Sequence, residues 1–125
     1  MTHEEFVKNY NEIVERALKF NEKARREGLL SLEDDVDMEK INDRDIFEYG
    51  MRLAIDGTDL QIIDGILSNI INQEKDEYNR ILKNIQKEAV LSLQAGDNPR
   101  ILYLQMNSLS DIKFKDDKMR KFLDE

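Results

Sequence analysis

Apolar residues recur at three- and four-residue steps along most of this chain. Phe6, Tyr10, Ile13, Ala17, Phe20 and Ala24 make one such stripe, the pattern of a helix that turns one face to a core. Thr2 and Glu5 stand ahead of it at capping-box spacing, so that hydroxyl and carboxylate each satisfy a backbone N–H the helix leaves free. Gly28 follows, with Lys23, Arg25 and Arg26 just before it. Glycine takes the left-handed backbone that closes a helix, and cations complement the negative end of the helix dipole. The pattern predicts one helix to about Arg26 and a turn or kink at Gly28.

A short apolar piece, Leu29 to Leu32, leads into the acidic run Glu33, Asp34, Asp35, Asp37 and Glu39, which reads as a loop. Asn42 or Asp43 can then cap a second helix that turns Ile46, Phe47, Tyr49, Gly50, Leu53, Ala54 and Ile55 to the core and stops at Gly57. Thr58 and Gln61 form another capping box. The helix they open buries Leu60, Ile63, Ile66, Leu67 and Ile70, crosses a polar interval from Asn72 to Glu77, and resumes with Tyr78, Ile81, Leu82, Ile85, Ala89 and Leu93. Neither Pro nor Gly interrupts it between Ile66 and Ala95. Unbroken, it would be roughly 55 Å long, more than a compact domain of this size needs. It therefore either breaks near residue 75 or projects.

Gly96 is the next stop, Asn98 a cap and Pro99 a first helical residue, which places a last helix over about Pro99 to Leu109. Its apolar sequence, Ile101-Leu-Tyr-Leu-Gln-Met-Asn-Ser-Leu109, should be buried, completing the core or forming a face for self-association. The expected fold is all-α, a small helical domain over residues 1–111 with a long central helix, followed by a charged tail over residues 112–125. In the tail Phe114, Met119, Phe122 and Leu123 either dock weakly or stay unfolded.

Composition agrees. Hydrophobic residues make up 40% and charged residues 37% of the 125, with one Pro and five Gly, a balance of helical proteins. A chain of this length buries roughly two-thirds of its unfolded surface, enough for one core. The formal charge of −8 argues against a nucleic-acid partner, which needs a concentrated basic surface. Leu60 to Ile71, the best apolar run, is too short to span a bilayer and contains Asp64. Met1-Thr-His-Glu-Glu-Phe6 has acids where a secretory signal carries positive charge. These features predict a cytoplasmic protein with no membrane insertion.

Candidate chemistry is sparse. There is no cysteine, hence no disulfide framework, thiolate metal site or thiol nucleophile. His3 is the single histidine and sits at an end that frays. No Gly-rich phosphate loop or His-based metal pattern appears. Asp34/Asp35 and Asp116/Asp117 are adjacent, so on a helix they would not face one another. The acidic loop lacks the turn glycine and terminal Glu spacing of an EF-hand. The expectation is a protein with no catalytic residues, no metal and no cofactor.

Two stretches say more. Lys23-Ala-Arg-Arg-Glu-Gly-Leu-Leu-Ser-Leu-Glu33, followed by Ile55-Asp-Gly-Thr-Asp59 ahead of an apolar helix, resembles the cytoplasmic loop of MotA-type flagellar stator subunits. Val90-Leu-Ser-Leu-Gln-Ala-Gly-Asp-Asn-Pro-Arg100 resembles the C-terminal tail of the same family, in the same order. Family members are membrane ion channels, whereas this chain resembles their cytoplasmic parts with every membrane helix missing. It also departs from the family after Arg100, where the family is polar and this chain is apolar.

The resemblance implies docking and not ion conduction, because the family's ion path lies between its membrane helices. In the family, an Arg and a Glu of the cytoplasmic loop engage a charged helix of the rotor switch protein. Matching motif to motif places them at Arg25 and Glu33, with Arg26 beside them. The implied partners are the rotor switch protein, the stator's own cytoplasmic ring or a second copy of the chain, at the flagellar motor. The plainer alternative makes Arg25 and Arg26 complements to a helix end and Glu33 a solvated charge. The protein would then be a structural or self-associating helical protein.

Overall fold

The computed structural model describes residues 1–39 and 45–112. Among them are five α-helices, one 3-10 helix and no strand. The helices are α1 (His3–Glu27), α2 (Ile46–Ile55), α3 (Leu60–Ile71), α4 (Glu77–Ala95) and α5 (Pro99–Asn107), and the 3-10 helix is Leu29–Asp35. The all-α class expected of the sequence is the class of the fold. The expected charged tail, residues 112–125, lies outside the described residues apart from Ile112.

Local chemistry sets most boundaries. Thr2 Oγ1 accepts from the Glu5 backbone N–H at 3.1 Å and starts α1. Gly28 ends it at φ +91°, a region closed to most side chains; with ψ 157°, the chain leaves extended instead of in a left-handed helical turn. The acidic run is not all loop, since Leu32 buries and carries Glu33, Asp34 and Asp35 into the 3-10 helix. Asp45 caps α2, accepting from Glu48 N–H at 3.0 Å; Asn42 and Asp43 lie outside the described residues. Asp59, one residue beyond the expected Thr58, caps α3 through Gln61 N–H at 2.8 Å.

The long central run is two helices. After Ile71 the chain makes a tight turn, with Gln73 and Glu74 N–H donating to the carbonyls of Ile70 and Ile71. Asp76 then caps α4 by accepting from Asn79 N–H at 2.9 Å. Arg80 donates to the carbonyls of Glu74 and Lys75, and Lys83 pairs with Glu74 at 2.8 Å. Short polar side chains that bond their own backbone compete with helix continuation, so Asn72 to Asp76 breaks the helix without Pro or Gly.

The 19-residue α4 is the central element, packing against α1, α2, α3 and α5. Its Leu82, Ile85, Ala89, Val90 and Leu93 are buried, as are Tyr10, Val14 and Leu18 of α1, Met51 of α2 and Ile63 and Leu67 of α3. All belong to one contiguous cluster. Gly50 lets α2 approach α4, for a Cβ there would lie 2.8 Å and 2.9 Å from the two methyls of Val90. Arg16 lies over the rings of Phe20 and Phe47 and pairs with Glu48, tying α1 to α2.

The apolar segment after Arg100 divides. Leu102, Tyr103 and Met106 enter the core, while Ile101, Leu104 and Leu109 stay exposed. Asn107 donates to the Tyr10 hydroxyl at 2.6 Å and fastens α5 to α1. Burial pushes the Tyr10 phenol above its ordinary pKa.

Candidate functional site

The first stretch forms a corner. α1 ends at Glu27, Gly28 turns the chain, and the 3-10 helix folds back onto α1 by burying Leu32. Lys23 holds the return segment, since its ammonium reaches Asp35 Oδ2 at 2.7 Å. The carboxylate accepting its hydrogen bond raises the Lys23 pKa above 10.5. Val36 is buried beyond the 3-10 helix, and the guanidinium of buried Arg52 donates to the Asp37 carbonyl at 3.0 Å.

Arg25 and Arg26 lie in the last turn of α1 and Glu33 in the 3-10 helix. All three side chains are exposed, and none makes an ion pair or hydrogen bond among the described residues. The internal pairing of this corner falls to Lys23 and Asp35 instead.

The second stretch is a frame. Gly96 closes α4 in the left-handed conformation at φ +77°. Asp97 Oδ2 accepts from buried Ser92 Oγ at 2.8 Å and from Gln105 Nε2 at 3.4 Å. Asn98 caps α5 through Ile101 N–H at 2.9 Å, and Pro99 opens it, buried.

The fold brings these two stretches together. Buried Asn21 of α1 donates its side-chain amide to the Asp97 carbonyl at 2.8 Å, across 76 positions of sequence. Beside that bond is a cavity of about 210 Å³ lined by Ala24, Arg25 and Leu29 from one side and Gln94, Gly96 and Asp97 from the other. Gln94 also donates to the Thr58 carbonyl at 3.4 Å, which attaches the Ile55 to Asp59 phrase to the same region. The Asn21 Oδ1 is enclosed without a partner among the described residues, a minority state for a buried polar atom.

Three participants were not singled out in the sequence as contacts: Asn21, Asp35 and Arg52. Asn21 had a signal, being a polar residue inside the apolar stripe of α1 between Ala17 and Ala24. Lys23 and Asp35 are opposite charges on either side of a glycine turn, and only the return of the chain pairs them. Among the described residues, no group of three or more His, Cys, Asp and Glu side chains is placed to hold one metal ion. His3 stands at the other end of α1, its ring 3.4 Å from the Tyr78 hydroxyl.

The molecule is thus an all-α protein in which exposed charges, unpaired among the described residues, sit on a corner tied by Asn21 to the Gln94 to Arg100 frame. No described helix is long and apolar enough to cross a membrane. Its sequence has a MotA-like relationship. It is 41% identical over 66 residues to Motility protein A of Borreliella burgdorferi, covering 53% of this chain and 24% of that protein. Motility protein A of Treponema phagedenis is 32% identical over 81 residues, 65% of this chain and 30% of the relative. The Treponema pallidum protein of that name is 31% identical over 81 residues, with the same two coverages. This chain spans less than a third of the length of each of these curated relatives. No protein-family model and no solved structure matches it.

Proposed function

We propose that this protein acts in flagellar motility as a non-catalytic docking protein, related to the cytoplasmic portion of a MotA-type stator subunit. Residues 1–111 form the docking unit, working in the cytoplasm at the motor. Arg25, Arg26 and Glu33 engage the rotor switch protein, with the stator's cytoplasmic ring as the second candidate partner. The observation that supports this reading is the meeting of the two MotA-like stretches around the Asn21 to Asp97 bond, beside three exposed charges that have no partner among the described residues. Exposed charges without a partner among the described residues suit electrostatic recognition, which sets partner choice and association rate more than affinity.

The test is binding of the labelled protein to the purified C-terminal domain of the rotor switch protein from the same source, at low and high salt, with Arg25→Glu and Glu33→Lys alongside. Binding should weaken with salt and with either reversal, while circular dichroism shows both variants folded. No binding at low salt by the folded wild-type protein would discard the docking role and leave the structural or self-associating alternative.

A further inference from the structure

α3 and α5 both pack on α4 and leave an open groove between them, about 330 Å³ in volume. Its apolar lining is Leu60 of α3 with Leu91 and Ala95 of α4. These α4 residues lie on the side away from its buried stripe at Leu82, Ile85, Ala89 and Leu93, so the groove runs along an outward helix face with no covering element among the described residues.

The charged lining is acidic, with Gln61 and Gln105 as neutral polar neighbours. Asp64, Glu88 and Asp97 border the groove, and no Lys or Arg does. Lys87 pairs with Asp64 at 3.0 Å and offsets that charge. The Asp97 carboxylate accepts from the neutral groups of Ser92 and Gln105, and no cation pairs with it among the described residues. Glu88 makes no ion pair or hydrogen bond there. Two uncompensated carboxylates thus flank an apolar strip, on a chain whose formal charge is −8.

We infer that this groove docks a basic amphipathic helix of a partner protein, its apolar side on Leu60, Leu91 and Ala95 and its Lys or Arg side chains on Glu88 and Asp97. A helix laid in a groove buries residues spaced three and four apart, and α3 and α5 supply the two walls. The acidic lining repels phosphates and acidic segments, which selects against nucleic acid. A groove this size implies a small interface, and so a weak and rapidly exchanging one. Arg25, Arg26 and Glu33 do not line this groove, so loss of rotor binding leaves this inference standing, and its failure leaves the rotor reading standing.

The experiment titrates the 15N-labelled full chain with an amidated Leu/Lys peptide of about 14 residues, long enough for a helix to form on binding, its leucines on one helical face. Two comparison peptides carry Glu in place of Lys, or the same composition scrambled so that the leucines ring the helix. Saturable shifts should centre on the amides of residues 60–64, 88–95 and 97–105 with the first peptide alone. Glu88→Lys should weaken that binding about three- to tenfold with unchanged circular dichroism. No saturable shift at these amides, or equal shifts with the scrambled peptide, would overturn the inference. Shifts at the same amides on concentrating the chain alone would assign the groove to a second copy and also overturn it.

Discussion

The two MotA-like stretches meet in space but are built differently. The Gln94 to Arg100 stretch is tied down at nearly every position: Gln94 to Thr58, Gly96 in a conformation that suits it, Asp97 to Ser92, Gln105 and Asn21, Asn98 to the start of α5, Pro99 buried. The Lys23 to Glu33 stretch is held by the ion pair of Lys23 and the burial of Leu32, and leaves Arg25, Arg26 and Glu33 in solvent. The second stretch spends its side chains largely on the fold, whereas the first leaves three charges to solvent. Ties to the fold are thus concentrated in one stretch and exposed charge in the other.

Substitutions that separate the two roles test this division. Asp97→Ala should have the largest effect on folding, about 1–3 kcal/mol, because it strips the buried Ser92 hydroxyl of its acceptor. Urea denaturation measures it, and a cost near zero would mean that the second stretch is no frame. Gly96→Ala should cost about 1 kcal/mol from the left-handed backbone alone, since nothing lies within 4 Å of the added methyl. Thermal unfolding of that variant reads the difference.

The smallest effect should come from the first stretch. The folded Lys23 value is raised above 10.5, so its contribution is complete below pH 10.5 and is lost as pH rises through the folded value. Both partners are partly exposed, so salt should weaken the pair as well. Hydrogen exchange should show residues 29–35 losing protection at alkaline pH, with residues 96–99 unchanged. Simultaneous loosening of both would show that the corner and the frame open as one unit.

Much of the helical framework could be read in the chain itself. Thr2, Gly28, Gly96, Asn98 and Pro99 act locally, each satisfying or removing a backbone group within a few residues, so the ends of α1, α4 and α5 follow from short-range chemistry. The cap of α3 was misplaced by one residue because Thr58 and Asp59 are both good caps and only packing chooses between them. The break between α3 and α4 was one of two alternatives, since a polar interval is compatible with an exposed helical turn as well as with a break. Arg25, Arg26 and Glu33 could be named in advance, but their lack of partners among the described residues could not.

What the sequence determined by itself was periodicity, capping and net charge: an all-α chain with an acidic balance and no described helix able to span a bilayer. The tertiary structure alone decided which charges are used up inside the molecule and which remain outside. It paired Lys23 with Asp35, buried Arg52 and Asn21, and sent Leu102 inward and Leu104 outward. The physical reason is range. Capping and periodicity act within a turn or two of helix, whereas burial and ion pairing depend on which helices meet, and the bond from Asn21 to Asp97 joins groups that only the folded core brings within 2.8 Å.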